Sequence, residues 1–268
     1  MIATIKAEWR KNRFRPAFLL GSALLAGLTL LAYTAQWYVA THPGSGDRPV
    51  PIETLYPEHF VNAVMGAGFP LGAALAIVLG AIVAGSEYTW STIKTMLTQR
   101  PGRLTVWKGR VIVFWAWLGL MTVILFAIGA GYSAVVAAVN GHAIAYPAFA
   151  DVAKGFGTIW LLFASYGAIG LALGVLIRQS AVALGVGIVY LLSVEIIAVR
   201  FIDGLSNGAY KWIGDLFVGQ NANALIGHVS GVTKGLTISA EQAVIVMLAW
   251  LVALVMVSAG LQRVRDVT

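Results

Sequence analysis

The feature that most constrains this chain is a series of long stretches that contain no Asp, Glu, Lys or Arg. Six of them lie at 16–46, 59–86, 111–150, 155–177, 179–194 and 242–262. A helix needs about 20 apolar residues to cross the hydrocarbon core of a bilayer, and five stretches reach that length. The stretch 179–194 reaches it if Glu195 is tolerated near one end. The apolar residues are continuous rather than alternating, which predicts helices and not barrel strands.

We therefore predict an all-α polytopic membrane protein, with one transmembrane domain over residues 1–268. The six predicted transmembrane helices are 17–39, 60–85, 111–139, 155–177, 181–199 and 241–261. Composition agrees, because 59% of the residues are hydrophobic and only 11% are charged, against roughly 25% charged in soluble domains. Such a chain is not an ordinary soluble globule. It has no cysteine, which excludes disulfides, thiolate metal sites and a cysteine nucleophile.

The basic residues indicate the orientation of the predicted helices. Of the 18 Lys and Arg residues, 13 fall on the side of the two termini and 5 on the opposite side. Lys and Arg concentrate on the cytoplasmic side of membrane proteins, so we expect both termini to be cytoplasmic. The net charge of +7 is then an orientation signal, and nucleic-acid binding becomes a remote alternative.

Two cytoplasmic segments have helical periodicity. In residues 1–15, Ile2, Ile5 and Trp9 share one face and basic residues take the others, which predicts an amphipathic helix in the membrane interface. The alternative is an unstructured basic flank. In 86–108, an apolar stripe is followed by Pro101-Gly102, which ends a short helix. That helix is either a rigid peg or a surface helix that only anchors the loop.

This second segment also carries a resemblance to a known family. The run 85–103, which reads GSEYTWSTIKTMLTQRPGR, and the following Lys108-Gly109 resemble the segment between the second and third spans of ABC-2-type transporter permeases. Trp90-Ser91 stands where that family usually has a Gly-containing step. The six-span layout, the amphipathic N-terminus and the long outer segment 202–240 resemble the same family.

The resemblance implies a transmembrane subunit of an ATP-driven exporter in a bacterial plasma membrane. Such a permease domain forms the substrate pathway as a dimer, with a second copy or a related permease. ATP and Mg would be held by a separate ABC ATPase subunit, while this chain would bind no cofactor or metal and would not be an enzyme. The chain has no G-x-x-x-x-G-K-[ST] run, which agrees with an ATPase site on another chain.

In that family the segment between spans 2 and 3 is a coupling helix that docks in a groove of the ATPase. The resemblance implies that Ile93, Met96 and Leu97 bury in this groove. Glu87 would pair with a cation at the cytoplasmic mouth. Lys94 and Arg100 would lie at the rim of the contact, and Arg103 ends the same coupling segment.

Few polar or helix-disturbing residues lie inside the predicted spans. Glu195 is the one ionisable residue well inside a span, so we expect it to line the pathway or latch an outer gate, with Arg200 as a possible partner. The alternative is a hydrogen bond to a neighbouring helix, or a side chain that reaches out to water. Pro70 predicts a kink that lets the second span bend. Gly170 and Gly174 are most simply packing residues.

The outer segment contains the uncharged stretch 216–233, which includes Gln220, Asn221, Asn223 and His228. A lipid-facing helix would not carry these amides, so we predict a re-entrant hairpin, with a seventh span as the competing interpretation. The polar residues would face a water-filled vestibule, or else belong to an ordinary outer loop. The substrate expected for so apolar a pathway is a drug, an antimicrobial peptide or a lipid-like molecule.

Two other function classes remain open from the residues. The first is a membrane-anchored assembly or sensor component that transports nothing. The second is an intramembrane enzyme, for which the four histidines show no ligand spacing and the spans show no nucleophile with a nearby base.

Overall fold

A computed structural model of the chain describes residues 1–42, 51–89, 102–206 and 210–264. These residues form helices joined by turns, and no β-strand occurs among them. Six helical segments within the described ranges are long and apolar enough to cross a membrane. The predictions of an all-α fold and of a multi-pass membrane protein are therefore confirmed.

The helices follow the predicted order of spans. They are α1 Ile2–Arg13, α2 Pro16–Thr41, α3 Phe60–Thr89, α4 Arg103–Val139, α5 Phe149–Ile177, α6 Ser180–Val189, α7 Glu195–Ser206, α8 Lys211–Gly214, α9 Val218–Val229 and α10 Ala240–Val264. A π-helical turn, Tyr190–Val194, joins α6 to α7, so these two helices make one span. Short 3₁₀ turns, Ile52–Leu55 and Pro57–His59, precede α3.

The clearest difference from the predicted boundaries is the start of α4, which begins at Arg103 and not at residue 111. The charges of Lys108 and Arg110 interrupted the apolar stretch and suggested a later start. Arg110 is in fact only 2% exposed and Trp107 only 1%. One side of the first turns of α4 is therefore buried in protein, while Lys108 is exposed, and a charge-free stretch is a poor guide to where such a helix begins.

The centre of the fold is the crossing of α3 and α5, which are the most buried of the six spans. At this crossing the two backbones touch. A Cβ placed on Gly80 would lie 2.3 Å from the carbonyl oxygen of Gly167, and one on Gly170 would lie 2.1 Å from that of Ile77. The packing role predicted for Gly170 and Gly174 is supported, because a Cβ on Gly174 would also lie 2.9 Å from the carbonyl oxygen of Ala81. Small residues permit this approach, which brings van der Waals contact where no hydrophobic force acts between helices.

The outer spans surround this crossing and present apolar side chains on their free faces. Exposed large apolar residues occur on α2, on the α6–α7 span and on α10: Leu19, Leu20, Leu24, Leu31, Val186, Val189, Leu192, Ile197, Ile245, Val252 and Met256. Faces of this kind suit lipid or another apolar protein surface.

Helix α9 enters the bundle obliquely. It has 12 residues, about 18 Å of helix, which is too short to cross a core of about 30 Å and argues against a seventh span. Its C-terminal end lies near the start of α3, where the Asn62 amide contacts the carbonyl oxygen of Ser230 at 3.5 Å. Gly219, the second residue of α9, lines a cavity with Pro70, farther along α3. The two ends of α9 therefore lie beside different parts of α3, and the re-entrant hairpin stays a prediction.

The predicted N-terminal helix is present as α1, and its buried face is polar. Glu8 and Asn12 are buried against the bundle, whereas Ile2 and Trp9 are exposed. A helix of a soluble protein would show the opposite arrangement. The apolar residues of α1 are therefore available to the membrane interface, which agrees with the amphipathic helix predicted for residues 1–15.

The α3–α5 contact predicts that Gly170→Ala destabilises the fold by about 2 kcal/mol, because the added methyl must displace the backbone of α3. The matched control is Gly157→Ala on the same helix, where a Cβ would meet nothing within 4 Å. The measurement is thermal unfolding of the purified protein, followed by loss of the monodisperse species. Equal melting temperatures for the two variants would contradict the close contact.

Candidate functional site

The candidate site is built around Glu195, the first residue of α7. Its side chain is buried, with the residue 6% exposed. The carboxylate accepts three hydrogen bonds: from the Tyr190 hydroxyl at 3.1 Å, from the backbone N–H of Gln220 at 3.2 Å, and from the backbone N–H of Gly219. Arg200, suggested as its partner, is exposed and is not among these donors. Glu195 therefore holds a neighbouring element, as the structural alternative proposed.

The π-helical turn allows Tyr190 to reach Glu195. Residues five apart in an ordinary α-helix point about 140° away from each other. The wider turn Tyr190–Val194 places both side chains on one side of the span. Such turns are uncommon and recur at functional sites.

Glu195 also caps helix α9. The residue before this helix, Phe217, supplies no side-chain cap. Gly219 and Gln220 are the second and third residues of α9, whose N–H groups have no partner within the helix. The carboxylate of Glu195 accepts from both and lies at the positive end of the helix dipole. A Cβ at position 219 would lie 2.8 Å from Glu195 Oε1, so a larger residue there would displace the carboxylate from this cap.

A half-open cavity of about 440 Å³ adjoins this cap. Its walls come from α3, α5, the π-helical turn with α7, and α9: Phe69, Pro70, Leu71, Ala73, Ala74, Tyr166, Leu191, Leu192, Glu195, Ile196, Gly219, Gln220 and Asn223. Four of the five residues predicted to form a pathway or gate meet here, namely Pro70, Glu195, Gln220 and Asn223. The volume falls within the range of small-molecule sites, which are mostly apolar with a few polar groups.

The fifth predicted pathway residue, Asn221, does not line the cavity. It is buried, and its side-chain amide donates to the carbonyl oxygens of Phe217 at 2.7 Å and Asp215 at 2.8 Å. His228 likewise has a structural partner, the carbonyl oxygen of Ile238 at 2.9 Å. These two residues stabilise the outer segment. Trp250 of α10 also stabilises this segment, because its indole N–H donates a hydrogen bond to the carbonyl oxygen of Leu216 at 2.8 Å.

The predicted coupling segment lies mostly outside the described residues. This applies to Ile93, Lys94, Met96, Leu97 and Arg100. Of its end residues, Glu87 belongs to the last turns of α3, and Arg103 is the first residue of α4. Their roles in ATPase coupling stay predictions.

A buried polar cluster lies where the chain continues after that segment, between α1 and the start of α4. Glu8 of α1 lies 4.0 Å from the Arg110 guanidinium and 3.7 Å from the Lys11 ammonium. Glu8 is 4% exposed, so its charge is balanced inside the protein rather than by water. The Arg110 guanidinium also lies 6.0 Å from the ring centre of Trp107. Of these contacts, the one between Glu8 and Arg110 joins α1 to the first turns of α4.

Sequence reasoning missed four residues of these two clusters: Tyr190, Tyr166, Glu8 and Asn12. Glu8 carried a signal, because it is the only acidic residue in the first 46. A lone acid among five basic residues suggests a specific partner. The two tyrosines carried no such sequence signal, because nothing in the spacing of Tyr190 and Glu195 indicates a π-helical turn.

No protein-family model matches the chain, and no curated protein matches it significantly. The likeness to ABC-2-type permeases therefore remains a resemblance. It is carried by residues 85–109 and by the order of the predicted spans.

The capping role of Glu195 predicts that Glu195→Ala loosens α9. Loss of a cap costs about 1 kcal/mol, so hydrogen exchange at the amides of the first turn of α9 should quicken about fivefold. Glu195→Gln keeps an acceptor oxygen and should show a smaller effect.

The matched control is Glu241→Ala, which removes an exposed acid from the first turn of α10. Hydrogen exchange followed by mass spectrometry reports on both helices. Unchanged exchange at 219–222 in Glu195→Ala would contradict the capping role.

Proposed function

We propose that this chain is the transmembrane subunit of an ATP-driven exporter of the ABC-2 type. It would act as a dimer in a bacterial plasma membrane, with both termini in the cytoplasm and a separate ABC ATPase subunit on that side. Support comes from the resemblance of residues 85–109, from the six membrane-spanning helices and from the oblique α9 before the last span.

The observation that carries the proposal is the course of α3. This one helix supplies five cavity residues between Phe69 and Ala74, and it runs on without interruption to Thr89, where the predicted coupling segment follows. The 15 residues from Ala74 to Thr89 correspond to about 22 Å of helix. A displacement of the segment by the ATPase would therefore move a wall of the cavity directly.

Pro70 gives α3 a place to bend. It lies inside the helix, and it cannot donate the usual hydrogen bond to the carbonyl oxygen four residues earlier. Between Pro70 and Thr89, α3 is held against α5 by the close contacts at Gly80 and Gly170. We propose that the outer part of α3 bends at Pro70 while the lower part moves with α5, as in hinge-type transitions.

The other end of the coupling segment is also firmly held. The buried side chains of Glu8 and Arg110, which lie 4.0 Å apart, join α1 to the start of α4. A segment fixed at both ends to packed helices transmits force, whereas a freely hanging loop absorbs it. This favours the rigid peg over the loop anchor.

The cavity supports an apolar or amphipathic substrate. Its one carboxylate, that of Glu195, already accepts two backbone N–H groups and a hydroxyl. The remaining walls are mainly aliphatic and aromatic, with the amides of Gln220 and Asn223 for orientation. We propose a drug, an antimicrobial peptide or a lipid-like molecule as the substrate class.

The docking of the coupling segment predicts that the combined change Ile93→Asp, Met96→Asp and Leu97→Asp abolishes co-purification of the partner ABC ATPase. Burial of a charge in an apolar groove without a partner is strongly unfavourable. The control places Asp at exposed Val232 on the opposite side and should leave the complex intact. An intact complex after the triple change would refute the docking.

The cavity predicts a separate effect for Asn223→Trp. The larger ring would narrow the cavity of about 440 Å³ and obstruct the substrate while leaving the cytoplasmic contact unchanged. Cells that express both subunits should keep the assembled complex but lose protection against a panel of apolar toxic compounds. Full protection by this variant, with equal expression, would place the pathway elsewhere.

A further inference from the structure

A groove of about 700 Å³ lies between α1 and the first half of α4, apart from the candidate site. Its lining combines two kinds of residue. The basic ones are Lys6, Arg10 and Arg13, and the apolar ones are Ile5, Ala7, Trp9, Phe14, Ile112, Val113 and Ala116. Among the residues that the structure describes, no acidic one lines the groove.

The three cations of this groove face outward and lack counter-charges. Lys6, Arg10 and Arg13 are exposed, and no carboxylate of the described residues forms an ion pair with them. The one acid of α1, Glu8, is turned into the protein, where Lys11 and Arg110 balance its charge. Because the acid points into the protein and the three cations point outward, the groove is strongly positive.

The apolar wall continues from the cations along α4. Phe14 is 69% exposed, and the Arg13 guanidinium lies 5.6 Å from the centre of its ring. Ile112 is also exposed, and Trp9 packs on Trp117 with ring centres 5.7 Å apart. An elongated apolar surface thus begins directly beside the cationic cluster, on a helix that enters the membrane.

We infer that this groove binds one anionic phospholipid. Lys6, Arg10 and Arg13 would bind the phosphate of the headgroup, and an acyl chain would lie against Phe14, Ile112 and Ala116. Cations alone would suit any anion, but the adjoining apolar wall fits a molecule with a phosphate at one end and a hydrocarbon chain at the other. Basic pockets between helices at the membrane surface recognise such headgroups. The inference does not rest on the proposed transport function.

The bound lipid would also explain why the polar side of α1 faces the protein while most of its apolar side is exposed. Glu8 and Asn12 face the protein, and on the apolar side Trp9 reaches α4 through its contact with Trp117. A lipid between α1 and α4 would cover the apolar side and fix the helix from both sides. The lipid would lie beside the start of α4, which follows the predicted coupling segment in the chain.

The test is native mass spectrometry of the purified full chain, titrated with phosphatidylglycerol or phosphatidylcholine of identical acyl chains. The wild-type chain should retain phosphatidylglycerol preferentially, and the preference should weaken with rising salt. The combined change Lys6→Gln, Arg10→Gln and Arg13→Gln should lower phosphatidylglycerol affinity roughly a hundredfold, from about fivefold per cation. Phosphatidylcholine binding should change little.

Two control variants separate the headgroup site from net charge and from folding. Arg200→Gln, Lys211→Gln and Lys234→Gln together remove three cations from the other side and should leave the preference intact. Lys6→Arg, Arg10→Lys and Arg13→Lys together keep the charges and should keep most of the binding. A melting temperature is recorded for each variant, so that loss of fold is recognised.

A further arm distinguishes a lipid from a soluble anion. Glycerol phosphate at the same concentration should fail to displace phosphatidylglycerol, because it has no chain to bury against Phe14 and Ile112. Displacement by glycerol phosphate would overturn the lipid assignment. An unchanged preference in the folded Gln triple variant, or an equal loss in the Arg200 control, would overturn the site itself.

Discussion

The structure depends on the close backbone contact between α3 and α5. In the apolar part of a membrane, helices associate by van der Waals packing and not by burial from water. The glycines at 80, 167, 170 and 174 bring the two backbones together, and the other spans pack around this pair. The contact makes α3 a rigid element from the middle of the bundle to Thr89, so one helix connects the cavity with the predicted coupling segment.

A second constraint is that polar groups inside the bundle must find partners within the protein. Helix α9 begins beside the buried carboxylate of Glu195, and the N–H groups of Gly219 and Gln220 need an acceptor there. Glu195 supplies the acceptor, and Tyr190 supplies a donor to Glu195. The carboxylate that seemed out of place in an apolar span is thus needed by the oblique helix. The same pairing places Glu195 beside the cavity, so its structural role and a gating role are compatible.

The sequence predicted most of the fold because membrane insertion is recorded in long charge-free stretches. All six spans were found in this way, whereas α1 was predicted from its helical periodicity and the segment that contains α9 from its uncharged polar residues. The errors have physical causes. Arg110 looked like a residue outside the membrane because its buried partner Glu8 is a hundred residues away. The π-helical turn depends on tertiary contacts, so Tyr190 could not be paired with Glu195. Four cavity residues were identified in advance because polar residues and proline are rare in spans.

The central claim is that the segment between α3 and α4 contacts an ATPase inside the cell. The most direct measurement is photocrosslinking in intact cells that produce both chains, with a photoreactive amino acid at Met96 and, as a control, at Val232. We expect a crosslinked product with the ATPase from position 96 and none from position 232. No product from position 96, together with labelling of that position by a membrane-impermeant reagent added outside the cells, would contradict the account.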